Sequence, residues 1–314
     1  MQNKIIVTGG AGFIGSNLVD RLLSAGNEVT VIDNLSSGRM EFLKQHTANP
    51  DFKFIELDLL ETENLGKAIQ GADFVYHLAA NPDVRLGAVD TKIHLEQNII
   101  ATYNLLEAMR INKQKNIVFT STSTVYGEAT VIPTAENYGP LIPISLYGAS
   151  KLACEALITS YCSTFDMNSW IFRFANIVGE RGTHGIIVDF IEKLRNNPHA
   201  LEILGDGQQR KSYLHVSDCI DGILYAVNNS HEFVNIFNVG SNDTINSTEI
   251  GEIVVKEMGL RNVKFTYTGG KRGWKGDVPK MLLAIGKIRE LGWNPSYNSK
   301  NSVVATVRNA LGNQ

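Results

Sequence analysis

Three cysteines, Cys154, Cys162 and Cys219, are all that the chain carries, and none stands in a CxxC spacing. That excludes a disulfide framework and leaves free thiols of a reducing compartment as the expectation. Seven histidines show neither an HxxxH nor an HxH pairing, so no metal site is expected. Long apolar runs are missing too. None approaches the ~20 residues needed to span a bilayer, so no membrane partner is expected. The chain opens on a short strand-like run rather than a basic segment followed by an apolar core, and a cytoplasmic enzyme is expected. Charge of one sign is scarce: the net charge is −3, which gives no help in holding nucleic acid. Lys113/Lys115 and Lys271/Arg272/Lys275 are groups too short to form a basic face. At 314 residues, 43 % of them hydrophobic, the chain can bury a large core, and its length suggests about two domains.

What is present begins with Ile5-Ile6-Val7, followed directly by Gly9-Gly10-Ala11-Gly12-Phe13-Ile14-Gly15 and an amphipathic stretch ending at Gly26. Strand, glycine turn and helix in that order build a phosphate cradle. Backbone amides at a helix start point toward an anion that the macrodipole favours, and glycines allow the tight turn and a close approach of pyrophosphate. Asp33 closes the next apolar run, Val29–Ile32, where a carboxylate can accept hydrogen bonds from a ribose. The pattern implies a dinucleotide, and Asp33 favours NAD over NADP, whose 2′-phosphate it would repel.

The first half of the chain alternates. Apolar runs at Ile5–Thr8, Val29–Ile32, Phe52–Leu57, Phe74–Leu78, Ile117–Thr120 and Trp170–Phe174 read as strands buried on both faces. Helical patterns lie between them at Asn17–Ser24, Asn64–Ile69, Ile93–Met109 and Leu146–Phe165. The expected fold is α/β, a doubly wound parallel Rossmann sheet with a smaller C-terminal α/β substrate lobe. Residues 1–176 would form the NAD-binding domain and 177–314 the second lobe, with a helix near Val188–Arg195. The boundary is soft, because Phe237–Gly240 could return to the sheet. Two helices carry more apolar surface than one sheet face needs: Ala149, Leu152, Ala153, Ala156, Leu157 and Tyr161 on one, and Ile99, Ile100, Tyr103, Leu106 and Met109 on the other. Core packing and a dimer seam both account for this.

Tyr147-Gly148-Ala149-Ser150-Lys151 places a phenol and an ammonium four residues apart on one helix face. Tyrosine titrates near ~10 and needs help to act as a base. A lysine cation, joined by a positive nicotinamide ring, favours the phenolate. Upstream, Ile117–Thr124 is an apolar strand running into hydroxyls, ending at the sheet edge where a substrate alcohol could be oriented. Following a dinucleotide cradle, and in this order, the two elements point to catalysis.

The chain resembles the extended short-chain dehydrogenases/reductases, specifically the nucleotide-sugar epimerase and dehydratase group. The likeness rests on Thr8–Gly15, His77-Leu78-Ala79-Ala80, Val125-Tyr126-Gly127-Glu128, Tyr147/Lys151, Arg173-Phe174-Ala175-Asn176, Gly205-Asp206-Gly207, His215-Val216-Ser217-Asp218 and Leu291-Gly292-Trp293. Within that group it is nearest to the UDP-glucose 4-epimerases. The resemblance implies NAD held at the pyrophosphate by Gly9, Gly12, Phe13, Ile14 and Gly15. Asp33 and Asn34 would hold the adenosine ribose, with Ser37 and Gly38 on the same side, and Asp58 and Leu59 would address the adenine. Leu78, Ala79, Ala80, Asn98 and Ser121 would line the pyrophosphate and nicotinamide side. Read from the residues alone, Asp58 is an Asx turn and Asn98 a polar helix face. Tyr147 would be the base and acid, Lys151 its tuner and ribose anchor, Thr122 the hydroxyl partner, and Asn176 a ligand of the sugar-nucleotide diphosphate.

The hydroxyl cluster bears on the reaction. The 4,6-dehydratases of the group follow this threonine with Asp-Glu, and the decarboxylating relatives carry a Glu just before Val-Tyr-Gly. Here Ser123 and Thr124 stand instead, and neither can serve as acid or base. The resemblance therefore implies epimerisation at C4 of a UDP-hexose, UDP-glucose or UDP-galactose, by hydride removal, rotation of the 4-keto sugar and hydride return. A UDP-N-acetylhexosamine or UDP-uronate epimerase, an NDP-sugar reductase and a non-catalytic NAD-binding regulator are the alternatives. Two departures concern the substrate. Arg210-Lys211-Ser212 replaces the usual Arg-Asp before the aromatic, so Arg210 and Lys211 could share a phosphate. Arg272-Gly273-Trp274-Lys275-Gly276-Asp277 is longer than the usual Arg-x-Gly-Asp. Arg272 or Lys275 could be the phosphate cation, with Arg272 preferred and Asp277 on the ribose. Met281 stands near the place where a bulky Tyr is associated with exclusion of N-acetyl sugars, and a methionine leaves them open. A homodimer is the expected assembly.

Overall fold

The structure is a computed structural model that describes residues 2–312. In chain order the elements are β1 (Lys4–Thr8), α1 (Phe13–Ser24), β2 (Glu28–Asp33), β3 (Phe52–Glu56), α2 (Thr62–Ala68), β4 (Phe74–His77), α3 (Ala101–Ile111), β5 (Asn116–Thr122), α4 (Leu146–Phe165), β6 (Asn168–Phe174), β7 (Asn176–Val178) and α5 (Ile186–Asn196). There follow β8 (Ala200–Ile203), β9 (Arg210–Lys211), β10 (Tyr213–His215), α6 (Val216–Asn229), β11 (Val234–Val239), β12 (Ile245–Asn246), α7 (Ser247–Glu257), β13 (Lys264–Tyr267), β14 (Lys280–Met281), α8 (Gly286–Glu290) and α9 (Ser299–Leu311).

Seven strands form one parallel sheet in the order β11-β6-β5-β4-β1-β2-β3. The β-branched runs expected as strands are its centre: Val7, Val29, Val31, Val75, Ile117 and Ile171 are fully shielded from solvent. Alternating residues serve opposite faces. Ile5 and Val7 join α1 and α6 in one core, whereas Ile6, Val75 and Ile117 join α2, α3 and α4 in another. A third core gathers α5, α7 and α9 around Leu201 and Ile203. The strand order reverses direction between β1 and β4, which opens a crevice at their carboxyl ends.

Residue 176 does not cut the chain into two independent lobes. β11 pairs with β6 from Val234↔Ser169 to Val239↔Phe174, and α6 packs over α1, so the later half completes the first half's sheet. Phe237 is 2 % exposed, and burying that run against β6 outweighs keeping it in the smaller lobe. The segment expected as one helix from Ile93 begins as a π-helical turn, Leu95–Ile100, before α3. On the two apolar helices the surface divides. Leu106, Met109, Cys154 and Ile158 are core, while Leu95, Ile100 and Tyr103 are 48 %, 38 % and 46 % exposed. All three cysteines are free and buried, and no metal-binding group occurs among the described residues. No helix among them is long and apolar enough to cross a membrane.

Candidate active site

The carboxyl ends of β1, β2, β4 and β5 bring the glycine turn, Asp33, the 78–80 loop and Thr122 to the crevice. Gly9 has φ +70°, and a Cβ on it would lie 2.6 Å from the Ala79 nitrogen; a Cβ on Gly15 would run into the Gly9 carbonyl. Those two glycines are therefore demanded by the packing of the turn on itself and on the β4 loop. Gly12 differs. It caps α1 with no side-chain hydrogen bond, and its own Cβ would approach only the Gly9 carbonyl at 3.2 Å. The amides at Phe13, Ile14 and Gly15 thus start a helix without a side-chain cap, the donor set an anionic pyrophosphate requires.

Asp33 is locked into this turn. Its Oδ2 accepts from Ala11 N at 3.0 Å and its Oδ1 from Leu35 N at 2.8 Å. Burial raises its pKa, and the two backbone donors oppose that shift. Gly38 lies against it, where a Cβ would come within 2.7 Å of the carboxylate. Ser37 is exposed on the same loop. Asn34 donates to Asp58 Oδ2 at 2.8 Å, while Asp58 Oδ1 accepts from Leu60 N. The Asx-turn reading of Asp58 thus holds for one oxygen, and the other is already tied to Asn34. Leu59 is buried, and its carbonyl accepts from Asn104.

Tyr147 lies in the first turn of α4, which Ser145 caps by accepting from Gly148 N at 3.0 Å. That turn abuts the residues after Thr122: a Cβ on Gly148 would lie 2.8 Å from the Thr124 carbonyl. Thr122 ends β5, and its Oγ1 accepts from Thr124 N at 3.1 Å. Burial pushes the Tyr147 phenol up to about 12 and the Lys151 ammonium down to about 8. The ammonium donates to the Thr120 carbonyl at 2.9 Å and lies 4.7 Å from the centre of the Phe119 ring. The ammonium is thus anchored on β5 one turn of helix from Tyr147.

Two other expected cofactor ligands are drawn inward. Asn98, 1 % exposed, accepts from Asn81 N and donates to Ser150 Oγ, both at 2.8 Å, so it joins the 78–81 loop to the tyrosine's helix. The widened π-helical turn carries it. Ser121 faces away from Thr120 and Thr122 by strand alternation, and its hydroxyl donates to Glu155 Oε1 at 2.5 Å.

Glu155 belongs to a network that sequence reasoning missed. Arg173 grips it through Nε and Nη2, with a shortest distance of 2.7 Å, and donates through Nη1 to Tyr126 and the Glu136 carbonyl. Tyr126 donates in turn to Asn238, joining β5, β6 and β11. A lone carboxylate four residues after Lys151, on a helix face otherwise apolar, was the available signal. His94 was missed as well: its ring stands edge-on to Tyr147 at 5.7 Å and 66°.

On the substrate side, Asn176 Nδ2 is buried and finds no hydrogen-bond partner, a donor available to a ligand. Lys211 Nζ lies 2.5 Å from Asp277 Oδ1 and 5.0 Å from the centre of the Trp274 ring. Arg272 donates to the Asp277 carbonyl at 2.8 Å and to Glu128 at 2.7 Å. Arg210 is not part of this group. Successive strand residues point to opposite faces, and its guanidinium pairs with Glu249 at 3.1 Å, away from Lys211 and Asp277.

The bare helix start, Asp33 and the tyrosine helix converge on one crevice, as in pyridine-nucleotide-dependent enzymes of the short-chain dehydrogenase/reductase type. The chain belongs to the NAD dependent epimerase/dehydratase family, whose sequence pattern matches residues 5–240, and NAD is its cofactor. It is similar to a crystal structure of a UDP-galactose 4-epimerase, with 42 % identity, a TM-score of 0.88, and coverage of 98 % of this chain and 99 % of that one. It is also 30 % identical to the UDP-glucose 4-epimerase of Mycolicibacterium smegmatis over 97 % of both chains. A UDP-N-acetylglucosamine 4-epimerase from Methanobrevibacter ruminantium, in complex with UDP-N-acetylmuramic acid, matches with 27 % identity, a TM-score of 0.88 and 99 % coverage of each chain.

Proposed function

We propose that the protein interconverts UDP-glucose and UDP-galactose by inverting C4. NAD supplies hydride acceptance and return at that carbon. Tyr147 removes the proton of the 4-hydroxyl and gives it back on the opposite face, and Thr122 orients that hydroxyl. Lys151 keeps a positive charge in the buried site below about pH 8. The phenol's upward shift to about 12 means that Tyr147 depends on added positive charge to act as a base near neutrality. Asn176, Lys211 and Arg272 hold the diphosphate, and Asp277 the ribose.

The observation that carries the reading is the setting of Thr122. The first turn of α4 brings Tyr147 to the end of β5, and the residues beside Thr122 are Ser123 and Thr124, which offer no acid–base pair for loss of water or carbon dioxide. The test is incubation of purified protein with UDP-glucose, UDP-galactose, UDP-glucuronate and the N-acetyl analogues, with no NAD added. Interconversion of the first pair is expected. Turnover only with stoichiometric NADH, or decarboxylation of UDP-glucuronate, would overturn the reading. Met281, partly buried on β14 beside Lys211, supports a second reading in which N-acetylated sugars are accepted. The exposed Leu95, Ile100 and Tyr103 support a homodimer through the α3–α4 face, measurable by light scattering.

A further inference from the structure

Gly127 has φ +62°, and a Cβ on it would collide with the Ile142 carbonyl, so the chain turns sharply there and presents Glu128 at the surface. Glu128 follows β5 in the sheet half of the molecule, whereas Arg272 lies in the 269–277 loop of the other half. Their side chains meet at 2.7 Å, both a little under half exposed. The same loop lies against the start of α4, where a Cβ on Gly276 would be 3.4 Å from the Ile144 carbonyl. It is internally fixed by Gly273 N donating to Asp277 Oδ2 and by Asp277 N donating to the Trp274 carbonyl.

We infer that Glu128 is a stand-in anion for the substrate diphosphate: it holds Arg272 across the crevice and surrenders the guanidinium when a nucleotide diphosphate binds. The inference rests on the proposed role of Arg272. Its chemistry is an exchange of like for like. A guanidinium presents a planar fork that fits a carboxylate or a phosphate equally well, and it cannot engage both at full strength. Nη1 donates to the Asp277 carbonyl and Nη2 to Glu128, so a phosphate gripped by two guanidinium N–H groups competes with the carboxylate for Nη2 and for the same positive charge, and water solvates the carboxylate it displaces. Glu128 thus lowers affinity for nucleotide while keeping the 269–277 loop docked on the α4 end that carries Tyr147. An exposed pair of this kind is weak, so the exchange is readily reversible.

The test is calorimetric titration of UDP into wild type, Glu128→Gln, Arg272→Ala and the double variant. Glu128→Gln is expected to bind UDP about two- to five-fold more tightly, the range of an exposed ion pair. In the Arg272→Ala background the same change is expected to have no effect. Unchanged or weaker binding by Glu128→Gln overturns the inference, as does equal tightening in both backgrounds, which would be a general charge effect. Either result leaves the proposed function standing as long as Arg272→Ala itself weakens UDP binding. Wild-type affinity in Arg272→Ala would instead refute the diphosphate role of Arg272.

Discussion

The two sides of the crevice are built differently. On the cofactor side, geometry is set by backbone and buried contacts: Gly9 pressed on Ala79, Asp33 bonded to Ala11 N, and Asn98 joining the β4 loop to α4. On the substrate side it is set by side-chain ion pairs, Lys211–Asp277 and Arg272–Glu128, that tie the 269–277 loop to β9 and to the turn after β5. The first arrangement suits a cofactor that stays bound through each cycle. The second includes the exposed Arg272–Glu128 pair, which suits a substrate that must enter, turn over and leave, because an exposed ion pair can be exchanged without unfolding anything.

Changes on the two sides should therefore show up in different measurements. The largest effect belongs to neither side but to the residue between them. Tyr147→Phe is expected to lower kcat by about 10²–10⁴-fold, with the melting temperature and the bound NAD of the purified protein unchanged; near-normal turnover would remove Tyr147 from the mechanism. Next comes the sheet-side frame. Glu155→Ala leaves Arg173 buried without its carboxylate and should cost about 3–5 kcal/mol of stability, read by urea unfolding of the NAD-loaded protein. On the substrate side Arg272→Met, which breaks an exposed pair with Glu128, should raise KM for the UDP-sugar about ten-fold while leaving the melting temperature nearly in place. If Arg272→Met unfolded the protein and Glu155→Ala merely raised KM, the comparison would be reversed.

At neutral pH the smallest effect comes from a group whose titration acts only in acid. His77 bridges Thr8 Oγ1 at 2.8 Å and Thr102 Oγ1 at 2.9 Å between β1, β4 and α3, and burial lowers its pKa to about 3. In the unfolded chain it titrates near ~6.5. Between these values the unfolded state binds the extra proton. The contribution of neutral His77 is thus complete above about pH 6.5 and is lost as pH falls toward about 3. His77→Gln should unfold with a shallower acid dependence, by up to about one proton across that window. An unchanged slope would place the titration elsewhere.

Much of the cofactor side was legible because its signals are local: a glycine turn between an apolar run and a helix, and an acid closing the next run. The sheet followed from six apolar runs, and the seventh strand was glimpsed only as Phe237–Gly240, since its pairing with β6 joins residues far apart in the chain. Side-chain direction was less readable. Ser121 and Asn98 were placed at the cofactor by the family resemblance, and the contacts of their side chains with Glu155 and Ser150 could not be read from it. Arg210 was grouped with Lys211 by adjacency, and the period of two along β9 turns their side chains apart. Lys151 is spaced to share a helix face with Tyr147, and spacing gave no sign that its ammonium donates to the Thr120 carbonyl. The Glu155–Arg173 pair was hidden because an ion pair between a helix and a strand leaves no spacing signature.

The central claim is that hydrogen leaves a sugar carbon and returns to the same carbon inside one closed site. Its most direct test uses the 4-deuterated form of the UDP-hexose that the protein turns over, in water, with no added nucleotide cofactor. Retention of the deuterium at C4 of the epimerised product is the predicted result. Loss of the label to solvent, or product formed only when NADH is supplied, would contradict the account.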